Sequence, residues 1–122
     1  MSTVMEAKAI IDQVPHLDGV YPNRLPDAAA DDTTSTVVLL TEAQGDTPDE
    51  YGGDKATRFT RTVAINIFYG LSKTDDASAV ERAVFDAFEG AGWGETYSAP
   101  HTYDPTTGQY TKVFQFTNQK ER

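Results

Sequence analysis

The stretch Arg58–Gly70 reads RFTRTVAINIFYG. Within it Val63, Ile65, Ile67 and Tyr69 alternate with Thr60, Thr62, Ala64 and Asn66. Side chains alternate faces along an extended strand, so this pattern gives one apolar face and one mostly polar face. It is the longest β-branched and aromatic run in the chain, with no glycine or proline before its closing Gly70 to break a sheet. The remaining elements read as partners for this strand.

Toward the N-terminus, Thr36–Thr41 (TVVLLT) is a continuous apolar run, as expected of a strand covered on both faces. Between the two lies Glu42–Thr57, EAQGDTPDEYGGDKAT, which contains three glycines and a proline and has no periodicity. It is expected to be a flexible acidic loop that orders against a partner, because long structureless loops in compact domains are commonly functional or disordered. Pro26–Ser35 reads as a second loop, and Gly19–Leu25 as a short edge strand interrupted by Pro22. Residues 3–14 read as a helix. Thr3 or Ser2 serves as N-cap, Glu6 completes a capping box, Val4, Ala7, Ile11 and Val14 form an apolar stripe, and Pro15 ends it.

Toward the C-terminus, Leu71–Asp76 is a turn, and Ser78 with Glu81 offers another capping box. Val80, Val84, Ala87, Phe88 and Ala91 share one face of a second helix, which Gly90 and Gly92 stop, with Trp93 folding back on the last turn. Residues 95–103 and 109–117 flank Asp104-Pro105-Thr106-Thr107-Gly108, whose early proline and late glycine suit a hairpin. The fold class is therefore α+β, a mainly antiparallel sheet of four to five strands with two helices packed on one face, in a single domain spanning 1–122.

The chain has 122 residues, a length that suits one domain. With no cysteine, it has neither a disulfide framework nor a thiolate metal site. No secretory signal or membrane span is expected, and the protein is read as made in the cytoplasm. Nineteen acids against ten bases give a net charge of −9, which disfavours phosphate backbones as ligands.

Catalytic chemistry is sparse. His16 and His101 are the only side chains with ordinary titration near neutrality, and His101-x-x-Asp104 is the one spacing that suggests a base or a metal ligand pair. Two residues do not make a site. No nucleophile elbow or phosphate-binding loop is present, and DTPDEYGGD lacks the register of a calcium loop. The reading is of a non-enzyme without cofactor, metal or catalytic residue. Eight acids without a base, Asp27, Asp31, Asp32, Glu42, Asp46, Asp49, Glu50 and Asp54, make the 27–54 segment a strongly negative surface.

The segments MEAKAIIDQVPHLDGVYPNRLP, TVVLLTEAQGD, NIFYG, FEGAGW and PHTYDPTTGQYTKVFQF, in that order, resemble a family of tail proteins of long-tailed phages of Gram-positive bacteria. That family is filed as a domain of unknown function (DUF806) and placed with the tail terminators. The resemblance covers about Val4 to Phe116 and brings no catalytic residue with it. It implies a tail-terminator-like fold and a virion protein at the head-proximal end of the tail. It also implies a homo-oligomeric ring, commonly of six copies, that contacts the major tail tube protein and a head-tail connector protein while DNA passes through without specific binding. On that basis Asp46, Asp49, Glu50, Tyr51, Asp54, Arg58 and Arg61 are the expected oligomer or partner contacts. Asp27, Asp31, Asp32, Asp46, Asp49, Glu50 and Asp54 are the expected channel-facing acids. The competing expectation is a small acidic inhibitor or immunity-type protein that binds a basic partner.

Overall fold

The computed structural model describes residues 2–52 and 55–121, excepting the side chains of 44–58 and 120–121. The elements run α1 (Thr3–Ile11), β1 (Gly19–Pro22), α2 (Asp27–Asp31), β2 (Val37–Gly52), β3 (Lys55–Phe68), α3 (Ala77–Gly90), β4 (Gly94–Ser98), β5 (Thr102–Tyr103) and β6 (Tyr110–Glu121). The strands form one sheet in the order β1-β2-β3-β6-β4, with the short β5 also pairing with β6. β1 runs parallel to β2, and every other pairing is antiparallel. The α+β class and the mainly antiparallel sheet stand as read from the sequence.

β3 is the middle strand, and its alternation sets the two faces of the sheet. Val63, Ile65, Ile67 and Tyr69 are all fully buried. The register carries their face across to β6, with Val63 opposite Phe116 and Ile65 opposite Phe114, and to β2, with Ile65 opposite Leu40 and Ile67 opposite Val38. Above this face lie the apolar stripes of α1 (Val4, Ala7, Ile11) and α3 (Val80, Val84, Phe88), joined with the strands into one core. Burying each such large side chain contributes about 1.5–3 kcal/mol, so this layer dominates the stability of the fold.

The termini of the helices follow local chemistry, with some differences from the sequence reading. Ser2, not Thr3, caps α1: its side chain accepts from the Met5 amide at 3.2 Å. Glu6 therefore does not close a capping box, and its carboxylate bonds Arg61 instead. α1 ends at Ile11, three residues before the expected stop, and a turn carries Val14 back so that its amide donates to the Ile11 carbonyl. α3 follows a short 3-10 turn at Thr74–Asp76 and has no side-chain cap; it begins at Ala77, which puts the expected cap Ser78 inside the helix. Gly92 adopts φ +88, and the Trp93 amide returns to the Phe88 carbonyl at 2.9 Å. The Trp93 ring then meets the Phe88 ring edge-on at 6.0 Å. The 104–108 turn also takes the expected form: Gly108 has φ +75, and its amide donates to the Asp104 carbonyl at 2.8 Å.

Two segments depart from the sequence reading. The Pro26–Ser35 loop contains the short helix α2, which lies beside Val37 and Phe68 on the sheet face away from α1 and α3. Glu42–Thr57 is not a structureless loop: β2 continues through Gly52 and β3 begins at Lys55. Gly45 and Pro48 hid this strand because neither favours an extended ladder. The sheet accommodates them with register shifts between Glu42 and Gln44, Gln44 and Thr47, Pro48 and Glu50, and Glu50 and Tyr51. Backbone pairing with β3 supplies what local propensity does not.

Candidate functional site

The acids of the 27–54 segment fall into two groups. Asp27 and Asp31 are exposed on α2. Asp46, Asp49, Glu50 and Tyr51 lie on the far part of β2, where the register sets Glu50 opposite Arg58 and Tyr51 opposite Ala56. Side chains in that part, and the whole of Asp54, lie outside the described residues. α2 sits near Val37, where β2 begins, and Asp46 is nine residues farther along the strand. At about 3.3 Å per residue the backbones of the two groups are roughly 30 Å apart, with the exposed Glu42 between them on β2.

Asp32 has a local task. Its Oδ1 accepts from the Thr34 amide at 2.9 Å, the Thr34 hydroxyl at 2.7 Å and the Ser35 amide at 3.2 Å. Hydrogen bonds from the Thr34 and Ser35 side chains, then the Thr34 amide, lower its pKa from 3.8 to about 2. A carboxylate with a folded pKa below its unfolded value stabilises the fold above the unfolded pKa. That contribution is lost as pH falls through the folded one. Replacing Asp32 with asparagine is therefore expected to lower stability at pH 7 and to leave it close to wild type at pH 2. Urea titrations at the two pH values measure this, and an equal loss at both would contradict it.

Arg61, read from the sequence as a partner contact, is placed within the monomer. Only 5% of the residue is exposed. Its guanidinium bonds the Glu6 carboxylate from α1, donates to Asn118 Oδ1 of β6 at 2.9 Å, and lies 5.1 Å above the Trp93 ring. One cation thus ties α1, β3, β6 and the end of α3 together. The position was legible, since Arg61 shares the parity of Val63 and Ile65. Its partners were not, because they come from three distant parts of the chain.

The histidines do not converge with Asp104. His16 is exposed at φ 70 in the link between α1 and β1. Asp104 Oδ1 accepts from the Thr106 and Thr107 amides and builds its own turn. His101 instead reaches α3, where its Nε2 lies 2.8 and 2.9 Å from the two Glu81 oxygens. The His101 ring stacks on Tyr110 at 4.6 Å and 3°. Glu81 also accepts from the buried Tyr69 hydroxyl at 2.7 Å. Burial first, then the Glu81 hydrogen bond, raises the Tyr69 pKa well above the usual phenol range, so this group stays protonated as a donor. The link joins β3, α3 and the segment before β5. A buried tyrosine hydroxyl needs a partner, which was the one signal for it. Glu81 was expected to cap α3, so that signal was missed.

Among the described residues, no three His, Asp or Glu side chains are grouped to hold a metal ion. Also among them, no helix is long and apolar enough to cross a membrane.

The second sheet face has a different character. Thr62 and Thr117 hydroxyls meet at 2.9 Å, Thr96 and Thr117 at 3.2 Å, and Thr102 and Thr111 at 2.7 Å. These pairs form hydroxyl ladders from β3 through β6 to β4 and from β6 to β5. Tyr97 is half exposed on β4 beside them.

No curated protein matches the sequence. Among solved structures, a chain in the virion of a native gene transfer agent (GTA) particle has a similar fold. Its TM-score is 0.61 at 19% sequence identity, over 95% of this chain and 84% of that one. The family described as "Protein of unknown function (DUF806)" matches residues 2–121, and the chain belongs to that family.

Proposed function

We propose that this chain is a structural protein of a phage virion, and within that class a tail terminator or tail completion protein. Its copies form a ring, of six by the family resemblance, on the head-proximal end of the tail tube. The ring ends tube polymerisation and offers a surface to the head connector. The observation that carries the reading is the fold shared over 95% of the chain with a virion chain. The segment-by-segment resemblance to phage tail proteins adds to it.

The geometry suggests how such a ring would treat DNA. The two acidic groups sit toward opposite ends of β2, so a ring with β2 along its axis places one group near each mouth of the passage. Carboxylates there repel the phosphate backbone and keep the genome mobile. Asp27, Asp31 and the acids of the far part of β2 fill that role in this reading. Asp32 serves chiefly its own turn.

The test is removal of the gene from a phage that encodes it. Tail tubes of uncontrolled length and filled heads without tails are the expected result in electron micrographs. Tubes of normal length joined to filled heads would overturn the proposal. Supplying the protein in trans should restore both defects together.

A further inference from the structure

Lys112 is a buried cation that the fold does not neutralise. Only 7% of the residue is exposed. Its stem crosses from β6 toward β4, where the ammonium donates to Ser98 Oγ at 2.7 Å and to the Ala99 carbonyl. Both acceptors are neutral, and the Phe114 ring 5.0 Å away offers only a partial counter-charge. Among the described residues, Lys8, Arg61 and Lys73 each have a carboxylate partner, whereas Lys112 has none. A buried charge is costly unless it is paired. On a chain with nineteen acids, one buried cation left without a carboxylate is a receptor for an acid from elsewhere.

Lys112 and Phe114 form the floor of a groove of about 550 Å³ between α3 and β4, with Arg82 and Phe85 on the helix side and Ser98 on the strand side. We propose that this groove binds a segment of a partner protein, an extended strand carrying one carboxylate with a large apolar residue two positions away. β4 ends the sheet and all five of its residues are exposed, so its outer edge can take an added strand. Such a strand lies about 4.8 Å from β4. The Lys112 ammonium already stands over Ser98 and Ala99, within reach of a glutamate from that position. Residues two apart share a face of a strand, so the apolar side chain falls toward Phe85 and Phe114. The inference stands apart from the ring reading, since it concerns a different partner.

The acids of the groove set its selectivity. Glu81, Asp86 and Glu95 also line it. Glu81 is taken by His101 and the Tyr69 hydroxyl, while Asp86 and Glu95 are exposed and bond neither cation. They repel a polyanion such as a phosphate backbone and admit a single carboxylate that reaches the floor. A free small acid fits less well, because small-molecule sites enclose about 70–90% of their ligand and this groove is open along β4. Arg82 is exposed and has no ion pair, even with Asp86 one turn on. It adds less to the contact than Lys112, since exposed pairs contribute little.

The experiment titrates the full chain with the capped peptide acetyl-TFTET-amide, whose phenylalanine and glutamate are two apart, up to about 2 mM, where weak contacts register. Amide NMR shifts of the protein report binding. Wild type should respond at Glu95–Ser98 and Lys112, with slower amide exchange along β4. The neutral acetyl-TFTQT-amide should bind at least about tenfold more weakly, the usual loss for a hydrogen bond to a charge. Lys112→Met keeps the stem over Phe114 and should erase the difference between the two peptides. Arg82→Gln should weaken binding about threefold. Arg24→Gln, an unpaired cation beyond β1 at the other end of the sheet, should change it less than about twofold. The comparison of the two peptides on wild type holds even if Lys112→Met fails to fold. No binding by acetyl-TFTET-amide, equal binding of the two peptides, or shifts confined to another surface would each overturn the inference. Hydrocinnamate binding as tightly as the peptide would make this a small-acid site and overturn it too. Self-association of wild type that Lys112→Met abolishes would give the groove to another copy, with the same consequence. None of these results bears on tail length after gene removal, so the two readings fail separately.

Discussion

Phe116→Ala is expected to cost about 3–5 kcal/mol, the usual range for removing a buried aromatic ring. Phe116 is fully buried on the middle of β6. Its ring stacks on Phe88 of α3 at 4.7 Å and 17°, and Phe114 and Phe85 lie 6.0 and 6.3 Å away. Removal leaves a cavity between sheet and helix that neither can close, because β6 is held between β3 and β4. A domain of this size has roughly 5–15 kcal/mol in total, so the variant should be marginal at 37 °C. Trp93 is the single tryptophan, is 4% exposed, and packs against Phe88, which makes its fluorescence a direct reporter. Urea unfolding followed at Trp93 should show a lower midpoint with an unchanged slope. A loss below about 1 kcal/mol would mean that the α3–sheet contact carries less of the core than its burial implies.

Gly70→Ala is the second large expected effect, and its cause is steric. A Cβ at Gly70 would meet the Thr34 carbonyl oxygen at 2.2 Å and its carbon at 2.8 Å. Both are backbone atoms and have little freedom to yield. The Asp32 turn fixes the Thr34 peptide. On either side, the Gly70 amide donates to the Thr36 hydroxyl at 3.2 Å and the Leu71 amide to the Thr33 carbonyl at 2.9 Å. The two segments are clamped together, and a methyl group between them must push the clamp open. A cost of about 3 kcal/mol is expected, at the upper end for overpacking. Gly94→Ala, where nothing lies within 4 Å of the added carbon, should stay within about 0.5 kcal/mol of wild type. Thermal unfolding of the pair distinguishes a steric clash from a general intolerance of alanine for glycine.

The parts legible in the sequence were those governed by local periodicity. β3 and the stripes of α1 and α3 were readable because each repeats its pattern over several turns or residues, and burial follows directly from that. The Gly108 turn and the Trp93 return were readable because their glycines adopt positive φ for a local reason. Long-range pairing was not. The far part of β2 holds Gly45, Pro48 and several carboxylates, so its local preference points away from a strand, and only the neighbouring β3 overrides it. Arg61 shows the same limit. The family resemblance made it an expected partner contact, while Glu6 and Asn118, which bond its guanidinium, lie 55 and 57 residues away in the same chain. Glu81 was assigned to a cap because the nearest backbone amides are its obvious targets, while Tyr69 and His101 come to it only through the tertiary fold.

The place of β6 in the sheet bears on how the polypeptide is made. It follows every other strand in the chain but lies inside the sheet, between β3 and β4. A nascent chain leaving the ribosome therefore carries β3 and β4 with unpaired edges, and α3 has no Phe116 beneath Phe88, until translation has passed Tyr110. Such open edges and uncovered apolar surface invite association with other chains. The native core closes late, through contacts distant in sequence, which slows folding. Competence to assemble is thereby withheld until β6 has emerged and paired.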